Sequence, residues 1–338
     1  MRALVYKDKL RFEKNYPMPR ARDGEALIKV LRAGICTTDL EITRGYMSFS
    51  GVLGHEFTGV VEDAGEREWI GKQVVGEINC PCRRCSYCKR GLGNHCPQRT
   101  VLGIAGRDGA FADYLTLPTK NLHVLPKNID HTRAVFIEPL AAAFRILEQT
   151  QRPHAGREES AAIQPDTEVA VLGDGRLGLL VAQVLSLTGC RLVAVGKHPE
   201  KLSILSERGI KTATKDEFYR HGGHGGGRFD YVVDCTGSPS GLETAIELTR
   251  PTGTIVLKTT FSHAKAQSVD LTPVVVNEIN LVGSRCGPFP RAIEALANGE
   301  VDVEPLISRT YKLDEGVEAL GFASEKGILK VLLDMGDV

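Results

Sequence analysis
The chain has 338 residues, room for about two domains. Its 42 Lys and Arg balance 42 Asp and Glu, so it lacks the basic excess of a general nucleic-acid binder or a polybasic membrane-surface protein. Hydrophobic residues at 42% and charged residues at 25% exclude a disordered chain and leave enough apolar material for a large core. The N-terminal MRALVYKDKLRFE reads as one alternating strand rather than a secretory leader, so a cytoplasmic protein is expected. Residues 1–140 hold short β-type runs between turn signals (EALIKVLRAG, GVVEDAG, QVVGEI, ADYLTLP), the pattern of an irregular β-barrel-like unit.

The rhythm changes after residue 166. Strand 167–172, a glycine turn, helix 177–187, strand 191–195, helix 200–208, strand 231–234, helix 241–248 and strands 254–257 and 281–284 follow in order. Nearly all-apolar strands alternating with helices mean a doubly wound parallel sheet. The stretch 177–196 is apolar enough to mimic a membrane span. Gln183, Arg191 and the Thr188-Gly189 break make it a buried helix followed by a strand. From Arg291 the tail carries helices 291–297 and 315–323 and strand 328–333, and is expected to return to the first domain. Segments 151–164 and 221–228 read as flexible surface insertions.

Nine cysteines stand at positions 36, 80, 82, 85, 88, 96, 190, 235 and 286. In a reducing compartment, five within 17 residues point to metal rather than disulfides. Cys82-x2-Cys85-x2-Cys88-x7-Cys96 offers four thiolates on one loop, which suits a closed, structural tetrahedral zinc. An iron–sulfur cluster, a nucleic-acid-binding zinc ribbon and a register using Cys80 are the alternatives. Cys190 and Cys286 read as buried small hydrophobes. Cys36, the pair His55-Glu56 and Glu138 form a second candidate set, mixed ligands that hold zinc and leave room for water or substrate.

Gly173-Asp174-Gly175-Arg176-Leu177-Gly178 follows a buried strand and opens a helix, the context in which G-x-G-x-x-G signals dinucleotide binding. The next strand ends Val195-Gly196-Lys197-His198. No acid stands there to hold the ribose hydroxyls of NAD; Gly196 makes room, and Lys197 and His198 bring positive charge. NADP(H) is therefore expected over NAD(H), the alternative being two solvated surface residues.

Together these motifs resemble the zinc-dependent medium-chain dehydrogenase/reductase superfamily of alcohol, polyol and threonine dehydrogenases, over almost the whole chain. The resemblance implies a GroES-like β-barrel catalytic domain (1–140, with a structural-zinc lobe at about 80–96), a Rossmann cofactor domain (141–284) and a C-terminal return (285–338). It implies that Cys36 and His55 bind a catalytic zinc with Glu56 close by. It also implies that Cys82, Cys85, Cys88 and Cys96 bind a structural zinc. Where alcohol dehydrogenases use a third cysteine, Ile137-Glu138-Pro139-Leu140 is similar to the polyol branch, where Glu138 would serve. Val195-Gly196-Lys197-His198-Pro199 is similar to the NADP-linked secondary alcohol dehydrogenases, and Asp234-Cys235-Thr236-Gly237 to the family's strand end beside the cofactor. Many relatives carry a relay histidine five residues after the zinc cysteine; this chain has Glu41.

The expected reaction interconverts a secondary alcohol or polyol and its carbonyl compound. Thr38 would hydrogen-bond the reacting oxygen and pass its proton outward, with Glu41 or water continuing the relay. Asp39 is a candidate to orient His55, or else a cap residue. Lys330 is a candidate for the cofactor phosphates, or else a surface lysine. Family habit implies a homodimer or homotetramer whose ligands are small molecules, with no nucleic acid or membrane partner. The competing function is a non-catalytic NADPH-binding sensor or scaffold.

Overall fold
The computed structural model describes residues 1–150, 162–220, 229–259 and 268–336. The expected insertion at 221–228, and most of that at 151–164, lie outside the described residues. Two compact units emerge: Met1–Glu138 with Phe289–Val338, and Pro139–Pro288.

The first unit contains β1 (Ala3–Tyr6), β2 (Leu10–Glu13), β3 (Glu25–Ile35), β4 (Gly51–Val52), β5 (Glu56–Ala64), β6 (Gln73–Gly76), β7 (Asn79–Cys80), β8 (Thr100–Leu102), β9 (Gly106–Arg107), β10 (Tyr114–Pro118) and β11 (Leu122–Val124). Short helices α1 (Thr37–Ile42), α2 (Ser86–Lys89) and α3 (His131–Ala134) lie between strands, and α4 (Ile137–Thr150) leads the chain out. The N-terminus is a hairpin rather than one strand. Lys7-Asp8-Lys9 breaks it, and β1 pairs antiparallel with β2.

In β3, Ala26, Ile28 and Val30 are fully buried while Lys29 and Arg32 are not, the alternation of a half-buried strand.

The second unit holds β12 (Glu168–Leu172), α5 (Arg176–Ser186), β13 (Arg191–Gly196), α6 (Pro199–Ser206), β14 (Lys211–Thr214), α7 (Lys215–Phe218), β15 (Phe229–Asp234), α8 (Pro239–Leu248), β16 (Thr249–Leu257), α9 (Thr272–Val276) and β17 (Asn280–Gly283). The sheet order is β14-β13-β12-β15-β16-β17, all parallel, the doubly wound arrangement. Val169, Ala170, Val171, Val232, Val233 and Ile255 are fully buried, as strands covered on both faces require.

The chain then returns to the first unit through α10 (Phe289–Ala297), β18 (Ile307–Lys312), α11 (Gly316–Ala323) and β19 (Lys330–Asp334). β19 pairs antiparallel with β3 and parallel with β18, giving the order β11-β6-β5-β3-β19-β18 with β10 also on β3. Several elements escape a reading by periodicity. Among them, β14 and β18 are short and half-exposed, and α4 hides behind Pro139. That proline sits in the first turn of α4, where its missing N–H costs nothing.

Candidate functional site
Three strand ends meet in the first unit. β3 ends at Ile35, directly before Cys36; β5 begins at Glu56, directly after His55; and β19 begins at Lys330. The antiparallel registers place Gly34 opposite Glu56 and Val331 opposite Ile35, so these ends are neighbours. One donor atom each from Cys36, His55 and Glu56 lies within 4.8 Å of the others. His55 and Glu56 are buried, at 3% and 1% exposure.

Asp39 holds the cluster in shape. It is fully buried in α1. Its Oδ2 accepts from the Cys36 amide at 2.8 Å, and its Oδ1 from the Gly54 amide at 3.2 Å. His55 Nδ1 also approaches Oδ1 at 3.2 Å, close enough for an ion pair but without the alignment of a hydrogen bond. That contact turns Nδ1 away and leaves Nε2 as the ring's ligand atom. Burial opposes charge on His55, yet Asp39 and Cys36 outweigh it and raise its pKa well above the usual imidazole value. A pocket that favours positive charge, built from a thiol, an imidazole and a carboxylate, fits a zinc ion.

Lys330 differs from its expected place. It is 2% exposed, its Nζ pairs with the Glu56 carboxylate and lies 3.4 Å from the Ile35 carbonyl. Its charge therefore meets Glu56 and is withdrawn from solvent, which corrects its reading as a surface lysine. Glu138 stands half-buried in the first turn of α4, outside the three-donor cluster. Thr38 Oγ1 lies 3.7 Å from Cys36 Sγ. Glu41, one helical turn on, pairs with Arg44 at 2.8 Å.

The second cysteine set closes on itself. Sulfur separations are 3.5 Å for Cys82–Cys96 and Cys85–Cys88, 3.7 Å for Cys85–Cys96 and 4.0 Å for Cys82–Cys88. Zn–S bonds of about 2.3 Å give tetrahedral edges of about 3.8 Å, so the four residues fit zinc. A disulfide would need about 2 Å. Backbone N–H groups of Arg84 and Cys85 hold the Cys82 thiol down to about 6, toward the thiolate a metal requires. Cys80 is outside the set, buried between the Ile78 carbonyl and the Asn121 amide. Cys190 and Cys286 are only half-buried, which corrects their reading as core residues.

In the second unit the glycine turn joins β12 to α5. Gly175 caps α5, with Arg176 and Leu177 in its first turn. A Cβ on Gly178 would run into the Gly173 carbonyl, so helix and turn pack as closely as only glycine allows. The N-terminus of α5 is a helix end of the kind that can receive an anion.

Thr236 Oγ1 donates to Asp234 Oδ1 at 2.7 Å and its amide does so at 2.9 Å; burial pushes the Asp234 carboxyl up. Gly196 ends β13, and the backbone amides of Lys197 and His198 donate to Asp174. In sequence Asp174 is only a variable residue of the fingerprint, an acid between two glycines one strand away from a missing ribose acid; in the fold its carboxylate meets both amides.

Comparison with known proteins agrees with this fold. The alcohol dehydrogenase GroES-like domain matches residues 22–127, and the zinc-binding dehydrogenase domain matches residues 177–298. D-arabitol-phosphate dehydrogenase of Enterococcus avium is 28% identical, over 94% of this chain and 92% of its own. Other polyol dehydrogenases recur among the relatives. RspB of Escherichia coli CFT073, solved with NADH, has a TM-score of 0.86 at 27% identity and covers 99% of each chain. A zinc-binding dehydrogenase of Sinorhizobium meliloti 1021, solved with NADP, has a TM-score of 0.84 at 26% identity and covers 98% of each. The chain belongs to the zinc-dependent medium-chain dehydrogenase/reductase superfamily and is an alcohol dehydrogenase/reductase that works with zinc and a nicotinamide cofactor.

Proposed function
We propose that the protein interconverts a secondary alcohol of a polyol and the matching ketone, at a zinc site made by Cys36, His55 and Glu56. The observation that carries this reading is the convergence of those three donors at adjoining strand ends, held by Asp39. The recurrence of polyol dehydrogenases among the relatives supports the substrate class. Zinc, when bound, supplies Lewis acidity toward the alcohol, and the nicotinamide supplies the hydride chemistry.

The chain's own residues do the rest. Cys36, His55 and one carboxylate leave a coordination position open for substrate. Glu56 is the carboxylate that the geometry favours; Glu138 is the one that the resemblance favours. Lys330 is the counter-charge of Glu56 inside the buried pocket. The Thr38 hydroxyl receives the alcohol proton as it hands its own on, and Glu41, paired with Arg44, carries the proton toward water. Cys82, Cys85, Cys88 and Cys96 hold a second, structural zinc.

No described helix is long and apolar enough to cross a membrane. We place the protein in the cytoplasm, where thiols stay reduced for metal binding. The exposed residues Leu271 at the start of α9, Val275 and Val276 on α9, and Leu281 on the sheet-edge strand β17 favour a homo-oligomer. The NADP(H) expectation rests on Lys197 and His198, and Asp174 bears on it directly.

Zinc analysis of wild type and Cys36→Ser, paired with turnover on a panel of polyols and ketoses, tests the site. The expected result is two zinc ions per wild-type chain, one in the variant, and loss of turnover. Unchanged turnover with one zinc fewer overturns it. Asp39→Asn should cost about 10–100-fold in zinc affinity or activity, the usual effect of losing a partner that orients a ligand.

A further inference from the structure
Gly196 lacks a side chain for a reason other than room for a 2′-phosphate. A Cβ there would stand 2.6 Å from Asp174 Cβ and Oδ2, well inside any real contact. The space is already filled by the Asp174 carboxylate. Asp174 Oδ2 accepts from the Lys197 amide at 2.6 Å and from the His198 amide at 2.7 Å, and lies 3.0 Å from His198 Nδ1. Two successive N–H groups aimed at one oxygen make an anion-binding nest. Here the protein's own anion occupies it. Among the described residues, every hydrogen bond of this carboxylate is made through Oδ2. Oδ1 is the oxygen left to meet a ligand hydroxyl.

The nest lies at the carboxyl end of β13, beside the central strand that carries the glycine turn. Dinucleotide folds present the acid that holds the ribose 2′-hydroxyl at this point. This chain has no acid on β13 but supplies one from the turn itself. The His198 ring, counted in sequence as a charge for a phosphate, is engaged by that acid. Burial works against ionisation of Asp174, and the hydrogen bonds from His198 and Lys197 outweigh it, holding the carboxyl below its ordinary value. A 2′-phosphate would therefore meet a fixed negative charge and an occupied nest.

We propose that Asp174, reaching from the glycine turn into the nest formed by Lys197 and His198, is the carboxylate that holds the adenosine ribose and selects NAD(H) over NADP(H). The proposal rests on the dinucleotide-binding reading of this unit and reverses the cofactor expected from the strand end alone. The test is equilibrium titration of the purified enzyme with NADH and, separately, NADPH, followed by fluorescence of the reduced nicotinamide. Wild type, Asp174→Asn and Asp174→Ala are compared, with circular dichroism and urea midpoints as controls of folding.

Wild type should bind NADH at least tenfold more tightly than NADPH. Each variant should narrow that ratio at least tenfold, by weaker NADH binding and stronger NADPH binding. If Asp174→Ala fails to fold, Asp174→Asn carries the comparison, because its amide oxygen can still accept from the nest. Equal or tighter NADPH binding by wild type overturns the proposal. So does an unchanged ratio in a folded variant. Binding of neither nucleotide overturns the dinucleotide reading itself, and the proposal with it.

Discussion
Lys330 and Glu56 face each other where neither charge reaches water, at 2% and 1% exposure. Such a pair resists removal of one partner more than removal of both, because a lone buried charge has lost its hydration without compensation. Lys330→Met should cost about 3–5 kcal/mol of stability, read from urea unfolding. Adding Glu56→Gln should recover part of that loss; strictly additive losses would show that the two side chains do not depend on each other.

Asp174 carries a pH signature. Its folded pKa is depressed, so its contribution to stability is present above the unfolded value of about 3.9 and is lost as pH falls through the folded one. The gap in urea midpoint between wild type and Asp174→Asn should be constant from pH 6 to about 5. It should close toward zero below about pH 4. A gap that persists undiminished in acid would mean that the carboxylate is not held ionised by the nest.

The loop that carries Cys82, Cys85, Cys88 and Cys96 shows what an element can and cannot do alone. Its neighbouring sheet, β7-β8-β9, has strands of two, three and two residues. α2 is a single turn with no buried side chain. So little apolar surface cannot order a loop of this length, and metal ligation would supply the missing free energy. Chelation of the proposed structural zinc should raise amide exchange across residues 82–96 and leave the strands of the parallel sheet protected. Equal protection with and without metal would show that the loop is held by packing.

At the scale of the molecule, the second unit ends in an exposed apolar margin. Val275 and Val276 on α9 are 75 and 72% exposed, and Leu281 on β17 is 42% exposed. β17 closes the described sheet order, so its outer edge has backbone groups to pair and apolar neighbours to bury. In the proposed homo-oligomer, a second copy of the chain would answer both needs through a two-fold contact. The double variant Val275→Glu/Val276→Glu should run at half the wild-type mass in light scattering. An unchanged mass would place the interface elsewhere, and a monomeric wild type would remove the inference.

Much of this protein follows from local order in the chain. The cysteine spacing of the zinc loop, the glycine turn between β12 and α5, and the strand–helix alternation of the second unit are each written within a few tens of residues. Their chemistry is short-range, and a metal or a pyrophosphate requires its donors at fixed small separations. Tertiary structure decided what depends on partners far apart in sequence. Only the pairing of β19 with β3 brings Lys330 to Glu56, across 274 residues, and turns an apparent surface lysine into a buried counter-charge. Only the parallel packing of β12 against β13 carries Asp174 to the amides of Lys197 and His198, 23 and 24 residues away. A charge has no meaning for cofactor choice until its neighbours are known. The same Lys197 and His198 that suggest a phosphate in sequence enclose a carboxylate in the fold.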